Sequence, residues 1–463
     1  MNGDVSRRGR PPATSMLIDQ VPNTQPNTQP GAANIDRLLR IVEDLTEEMV
    51  EFAKTLIRLP TINPPGALYR ECADLVAKRL AEFTFETRVI SADGHEHHTE
   101  SNPRFNVIGT RRGVHSRPLL HFNGHLDVVP PYDLSKWTRD PFSGAVEDGN
   151  LHGRGSTDMK GGLAAAIFAA EAFRRAGIPL NGSIQISGTA DEETGGFAGV
   201  AYLAKMGLLT SKTIDYVIIP EPFGAGRICI GHKGLYWFRI ASRGHAAHGS
   251  MPYQGISAIE NMAVLLEEIR STLVPELAGT ITAMPVVPPE SRYGTININT
   301  IIGGQALAEL DKGPQSPVVA DSCIIVGERR FLLEDGDRDI GVAAVRSQLQ
   351  SAIDRVMRRK PDSDFDLEDF GNTVFPTQTP PSALLIRTLA KQIELVLGKP
   401  AELVASPGSY DHKHFTHIGN ISECVAYGPG ILELAHQPDE YCKLSDIVNS
   451  CKVMALSIAA LVG

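Results

Sequence analysis

Residues 118–162 read PLLHFNGHLDVVPPYDLSKWTRDPFSGAVEDGNLHGRGSTDMKGG. Pro118 to Phe122 is a short apolar run of strand type, and Gly124-His125-Leu126-Asp127 follows at once. A histidine leaving a buried strand can give one ring nitrogen to a metal while the other takes an acceptor that fixes tautomer and angle. Asp127 is the expected acceptor. Taken alone, the pair fits a strand-end histidine capped by a carboxylate better than a metal ligand; the further ligand-type residues downstream reverse that reading. Downstream, Gly153-Arg154-Gly155-Ser156-Thr157-Asp158 sets a second carboxylate on a glycine-rich turn, and Met159-Lys160-Gly161-Gly162 opens an alanine-rich helix.

The flanks show the fold that carries this stretch. Upstream, helical spacing runs from Ile35 to Pro60, and a second helix, Tyr69 to Phe83, follows the breaker Asn63-Pro64-Pro65-Gly66. Strand-like runs come at 85–91, 104–110 and 144–152. Then follow a helix Gly161 to Gly177, a strand Gly182 to Thr189, a helix Ala198 to Met206 and a strand Tyr216 to Pro220. This alternation predicts an α/β fold with a mostly parallel, helix-covered sheet. Sites in such sheets gather at the carboxyl ends of strands. From Gly231 the pattern changes: strands at 231–243, 296–302, 319–328 and 365–370 alternate with helices at 256–273 and 340–358. We read residues 232–373 as an inserted α+β lid and dimerisation domain, and 35–231 with 374–463 as a discontinuous catalytic domain. Residues 1–34 repeat Asn-Thr-Gln-Pro and lack an apolar core, so a disordered tail is expected.

Composition narrows the function. The 463 residues carry a formal charge of −10, with 42% hydrophobic and 21% charged residues. No basic stripe is available for nucleic acid or an anionic membrane, and no run reads as a membrane span. Six cysteines (Cys72, Cys229, Cys323, Cys424, Cys442, Cys451) show no pairing pattern, which suits reduced thiols in the cytoplasm.

The chemistry has five stations: His125 with Asp127; Asp158; Asp191-Glu192-Glu193; Glu221 between two prolines; and His436 in Ala435-His436-Gln437-Pro438-Asp439-Glu440. An Asp-Glu-Glu triplet alone is usually a solvated turn. Two imidazoles with several carboxylates, set directly after strands, suit two divalent ions, Zn²⁺ above Co²⁺ or Mn²⁺. One carboxylate can bridge both ions, and one Glu must stay off the metals to move the proton of an attacking water.

These motifs, with Trp137…Asp140-Pro141-Phe142 and Tyr427-Gly428-Pro429-Gly430, resemble the co-catalytic zinc amidohydrolase family of acetylornithine deacetylase, succinyl-diaminopimelate desuccinylase, aminoacylase and carboxypeptidase G. The resemblance spans about residues 36 to 460. It implies that His125 and Glu221 hold one metal, Glu193 and His436 the other, and that Asp158 bridges them. Asp127 would orient His125, and Glu192 would be the general base. In the inserted domain, Gly244-His245-Ala246-Ala247-His248 resembles a lid motif whose histidine, here His248 with His245 as the alternative, stabilises the oxyanion, often across a homodimer. Asn297 and Gly303-Gly304 match a substrate-contacting segment. Arg330, or Arg329, would pair with a substrate carboxylate. Asp411, His412 and Gly430 would line the substrate pocket, though His412-Lys413 departs from the small residue and Arg common in relatives.

The function expected is metal-dependent hydrolysis of an amide in a small carboxylate-bearing substrate, an N-acyl amino acid or dipeptide-like compound. A specialised catabolic amidohydrolase cutting a different C–N bond, or a catalytically silent binding module, are the alternatives.

Overall fold

A computed structural model describes residues 31–304, 316–336 and 338–463. The tail read as disordered lies almost wholly outside the described residues. The first helix, Ala32–Asp44, begins just before Ile35, and a second, Thr46–Ile57, follows after Leu45.

A nine-stranded mixed sheet forms the larger core. Its centre is parallel: Leu119–His125 lies between Ser183–Thr189 and Tyr216–Ile219, and the last pairs with Cys424–Ala426. Antiparallel strands flank this centre, Glu86–Ser91 and Phe105–Arg112 on one side, Arg227–His232 and Thr377–Gln378 on the other. Leu119–His125 is buried at every position, as a strand covered by helices on both faces must be. Helix Lys160–Arg175 packs over the sheet on an almost fully buried alanine-rich surface. A Cβ at Gly162 would stand 2.0 Å from the Pro220 carbonyl, so glycine there lets the helix reach the strand end that carries Glu221. Helix Leu444–Leu461 is long and apolar enough to cross a membrane, contrary to the expectation from sequence. Most of it is buried in the core against helix Lys160–Arg175, so here the apolar run is a core helix.

The run expected as one strand at 231–243 is two. Arg227–His232 completes the large sheet, and Gly234–Arg243 enters a separate four-stranded antiparallel sheet with Thr295–Gly303, Ser322–Phe331 and Asp364–Asp369. Lys233 sits at the crossing, its ammonium donating to the carbonyls of Ser291 and Tyr293. Alternation along Gly234–Arg243 turns Tyr236, Phe238 and Ile240 onto helices Ala258–Glu268 and Arg338–Arg359, and leaves Leu235 and Trp237 on the opposite face. The segment 144–152 is likewise not one strand but a hairpin, Val146–Glu147 and Asn150–His152, joined by Asp148-Gly149 with φ of 49° and 74°. Two consecutive positive φ values make the tight turn that a hairpin twist favours.

Candidate metal centre

The parallel strands deliver the site residues to one edge. His125 ends Leu119–His125; the turn Glu192–Thr194 follows Ser183–Thr189; Glu221 follows Tyr216–Ile219. His436 arrives beyond the turn Leu432–Leu434, with a positive φ of 63°. Two clusters result, His125-Asp158-Glu221 and Asp158-Glu193-His436, each with its ligand atoms within 4.8 Å of one another. Asp158 belongs to both. Its Oδ1 lies 3.0 Å from His125 Nε2 and its Oδ2 3.4 Å from His436 Nε2; His436 Nε2 also lies 3.1 Å from Glu193.

The residues present fit a pair of cations. Three carboxylates, Asp158, Glu193 and Glu221, converge with two imidazoles. Burial, then the Asp158 charge, pushes Glu193 up to about 7 and holds Glu221 well above the usual carboxylate range. Hydrogen bonds to Asp158 and Glu193 push His436 up to about 11. Glu193 Oε1 is buried and has no hydrogen-bond partner, a costly state for a carboxylate oxygen unless a ligand faces it. Divalent ions would relieve all of this with the donor set at hand.

Asp127 acts differently from the sequence expectation. His125 Nδ1 meets the backbone carbonyl of Asp127 at 2.9 Å, while the nearest carboxylate oxygen is 3.7 Å away. A carbonyl only accepts, so Nδ1 carries the proton and Nε2 faces the centre. The Asp127 carboxylate instead accepts from the backbone N–H of Glu192 and Glu193, at 3.3 and 3.1 Å, and from Asn63 Nδ2 at 2.8 Å. It therefore fixes the turn that carries the base and a ligand.

Four more residues carry the site without having been singled out. Asn63, read only as part of a breaker, ties Asp127 to Thr194. Arg104 and His97 clamp the buried Asp191 just before Glu192. Glu440, fully buried, accepts from the N–H groups of Gly155, Thr157 and Asp158 and from Arg154 at 2.5 Å. Its signal was present as a Gly-Arg-Gly run rich in donors and an unassigned Glu, but pairing them needs the fold.

A cavity of about 630 Å³ opens over the centre, with Glu192 and Lys413 on its wall and Arg330 reaching it from the four-stranded sheet. The Lys413 ammonium lies 3.7 Å from Glu192. Arg330 holds Glu328 at 3.2 Å, whereas Arg329 is buried and points to Asp335 and Gln348.

Other expected substrate residues lie elsewhere. Asp411 and His412 are buried off the cavity. Asp411 accepts from Asn123, His412 packs on Tyr410 and His232, and burial pushes His412 down to about 3. Gly430 has φ of 86°, and a Cβ there would meet Thr157 Oγ1 at 2.9 Å, so its glycine serves packing behind Asp158. His245, His248, Asn297 and Gly304 are exposed, and none of them, nor Gly303, lines this cavity.

Residues 121–460 match the profile of peptidase family M20/M25/M40. The chain belongs to this family. Succinyl-diaminopimelate desuccinylase of Methylorubrum extorquens (strain PA1) is 29% identical over 402 residues, covering 85% of this chain and 94% of the relative. The fold is similar to that of the di-peptidase Dug1p of Saccharomyces cerevisiae, with TM-score 0.70 and 16% identity over 92% of this chain and 98% of that one. It is also similar to a dinuclear metal-binding M20 peptidase of Bacillus subtilis, with TM-score 0.60 and 15% identity over 90% and 99%. The chain is a metal-dependent amide hydrolase.

Proposed function

We propose that the chain cleaves the amide C–N bond of an N-acyl amino acid or dipeptide-like compound bearing a carboxylate, with two divalent ions, zinc before cobalt or manganese. His125 and Glu221 would hold one ion and Glu193 and His436 the other, with Asp158 available to both. Such a pair, when bound, lowers the pKa of water and polarises the carbonyl. Glu192 belongs to neither ligand cluster, yet shares the turn of Glu193 and lines the cavity. It takes the proton of the attacking water and passes it to the leaving nitrogen. Arg330 receives the substrate carboxylate with its planar fork.

The observation that carries this reading is the sharing of Asp158 by two ligand clusters beside an unshared Glu192. Elemental analysis tests it. Glu192→Gln protein is expected to keep two ions and lose turnover; loss of the ions would overturn the assignment.

The working unit in this reading is a homodimer in the cytoplasm. His248 is exposed and does not line its own chain's cavity, so in this reading it acts as oxyanion donor in a second subunit or after the lid moves. The edge strand Thr295–Gly303 supports the dimer, since it leaves Ile301 and Ile302 exposed at 56% and 61%. Six free, buried cysteines fit a reducing compartment.

A further inference from the structure

Lys413 is a buried cation on the cavity wall with no part in either ligand cluster. It stands in the first turn of the short helix His412–His417, and its side chain is only 5% exposed. A buried ammonium needs a partner. Among the described residues it makes no side-chain hydrogen bond and one ion pair, to Glu192 Oε1 at 3.7 Å. Glu192 is held mainly by its backbone: its N–H donates to Asp127 at 3.3 Å, and its carbonyl accepts from the Gly195 N–H at 2.7 Å. Its carboxylate makes no hydrogen bond among the described residues, so Lys413 is the one cation within 4.0 Å of it there. The helix that carries Lys413 is tied to the turn that carries Glu192. His414 Nε2 donates to the Gly195 carbonyl at 2.7 Å, and its ring packs on Phe197. A Cβ at Gly196 would stand 2.4 Å from Asp411 Oδ1, so glycine there admits the close approach. Asp411 in turn accepts from Asn123, on the strand that ends in His125. The ammonium is therefore fixed relative to the turn of Glu192 and to the strand of His125.

We propose that Lys413 is a positioning residue for the general base, its ammonium keeping the Glu192 carboxylate in the orientation from which it takes the proton of the attacking water. This rests on the amide-hydrolase reading and on Glu192 as the base. A free carboxylate beside bound divalent ions is drawn onto them as a further ligand, and a fixed cation facing it gives a competing partner. Lys413 transfers no proton itself: the proton passes from water to Glu192 and on to the leaving nitrogen, and the ammonium stays charged throughout.

The test uses the metal-loaded enzyme with whichever of N-acetylalanine, N-succinylalanine and alanylglycine it turns over fastest. Lys413→Met is expected to keep both ions by elemental analysis and to lower kcat by ~10- to 100-fold, the loss that a displaced catalytic group produces. KM should stay nearly unchanged, because the contact acts on the chemical step and not on substrate binding. Lys413→Arg keeps the charge and should recover part of the loss. Placed in the Glu192→Gln chain, Lys413→Met should change the residual turnover by less than about two-fold, since a residue acting through Glu192 then has nothing to act on. Should Lys413→Met fail to fold, Lys413→Gln is expected to show the same pattern. Wild-type kcat in the Lys413 variants, a loss confined to KM, or an equal loss in the Glu192→Gln chain would overturn the proposal. No turnover of the three substrates by wild-type enzyme holding both ions would overturn the substrate reading itself, and this inference with it.

Discussion

The two sheets treat their family motifs in opposite ways. At the edge of the nine-stranded sheet, His125, Asp158, Glu193, Glu221 and His436 converge on one point, the first four from within and His436 from the exposed rim. On the four-stranded sheet, His248, Asn297 and Gly304 stay exposed and apart from the cavity, while Arg330, Trp237 and Leu235 reach it. The difference follows from what surrounds each motif. Residues at the ends of buried parallel strands have nowhere to go but the crevice beyond the sheet. Residues on an exposed turn or an edge strand acquire a role only from whatever packs against them. One region therefore assembles its ligand set within the chain, and the other leaves most of its motif residues on the surface.

The sharpest break of that comparison is at the bridge. Asp158→Ala should release both ions and lower kcat beyond detection, whereas Glu192→Gln should keep both and lose ~10²–10⁴-fold in kcat. Metal analysis alongside kinetics decides it, and retention of two ions by Asp158→Ala would refute the shared ligand.

The support behind the bridge comes next. Glu440→Ala would strand Arg154 and three backbone N–H groups in a buried place, and should destabilise the protein by about 3–5 kcal/mol. Urea unfolding of the metal-loaded protein measures this. Wild-type stability in the variant would mean the turn holds itself.

On the other sheet, Arg330→Ala should cost about 2–5 kcal/mol in kcat/KM, mainly through KM, with only partial recovery in Arg330→Lys. A substrate with its carboxylate amidated should be poor for the wild type and insensitive to the change. Equal losses on both substrates would remove Arg330 from carboxylate binding.

The smallest effect is a recovery. Mixing inactive His248→Ala and Glu192→Ala chains should restore up to about a quarter of wild-type activity if His248 serves the partner's site, since random pairing in a two-fold dimer leaves one intact site in half the dimers. No recovery, with subunit exchange verified, would leave lid movement within one chain or no role at all.

Much of this was legible in the order of residues. The strand before His125, the helix after Lys160, the carboxylates at strand ends and the change of pattern after residue 230 follow from period, apolar runs and breakers. Those signals are local, because backbone geometry repeats every two or 3.6 residues. The ligand types follow from chemistry that needs no coordinates. Tertiary structure alone decided the rest. It turned the Asp127 carboxylate from His125 to the Glu192-Glu193 amides, joined Glu440 to a loop nearly three hundred residues earlier in the chain, and made Asn63 a hinge pin of the site. It split the run at 231–243 between two sheets and withdrew His412 from the cavity while leaving Lys413 on its wall. These outcomes depend on how distant segments pack, where a rotation of one residue along a strand or turn exchanges a buried side chain for an exposed one. Composition and spacing named the atoms of the chemistry; only the packing of distant segments could set which of them face one another.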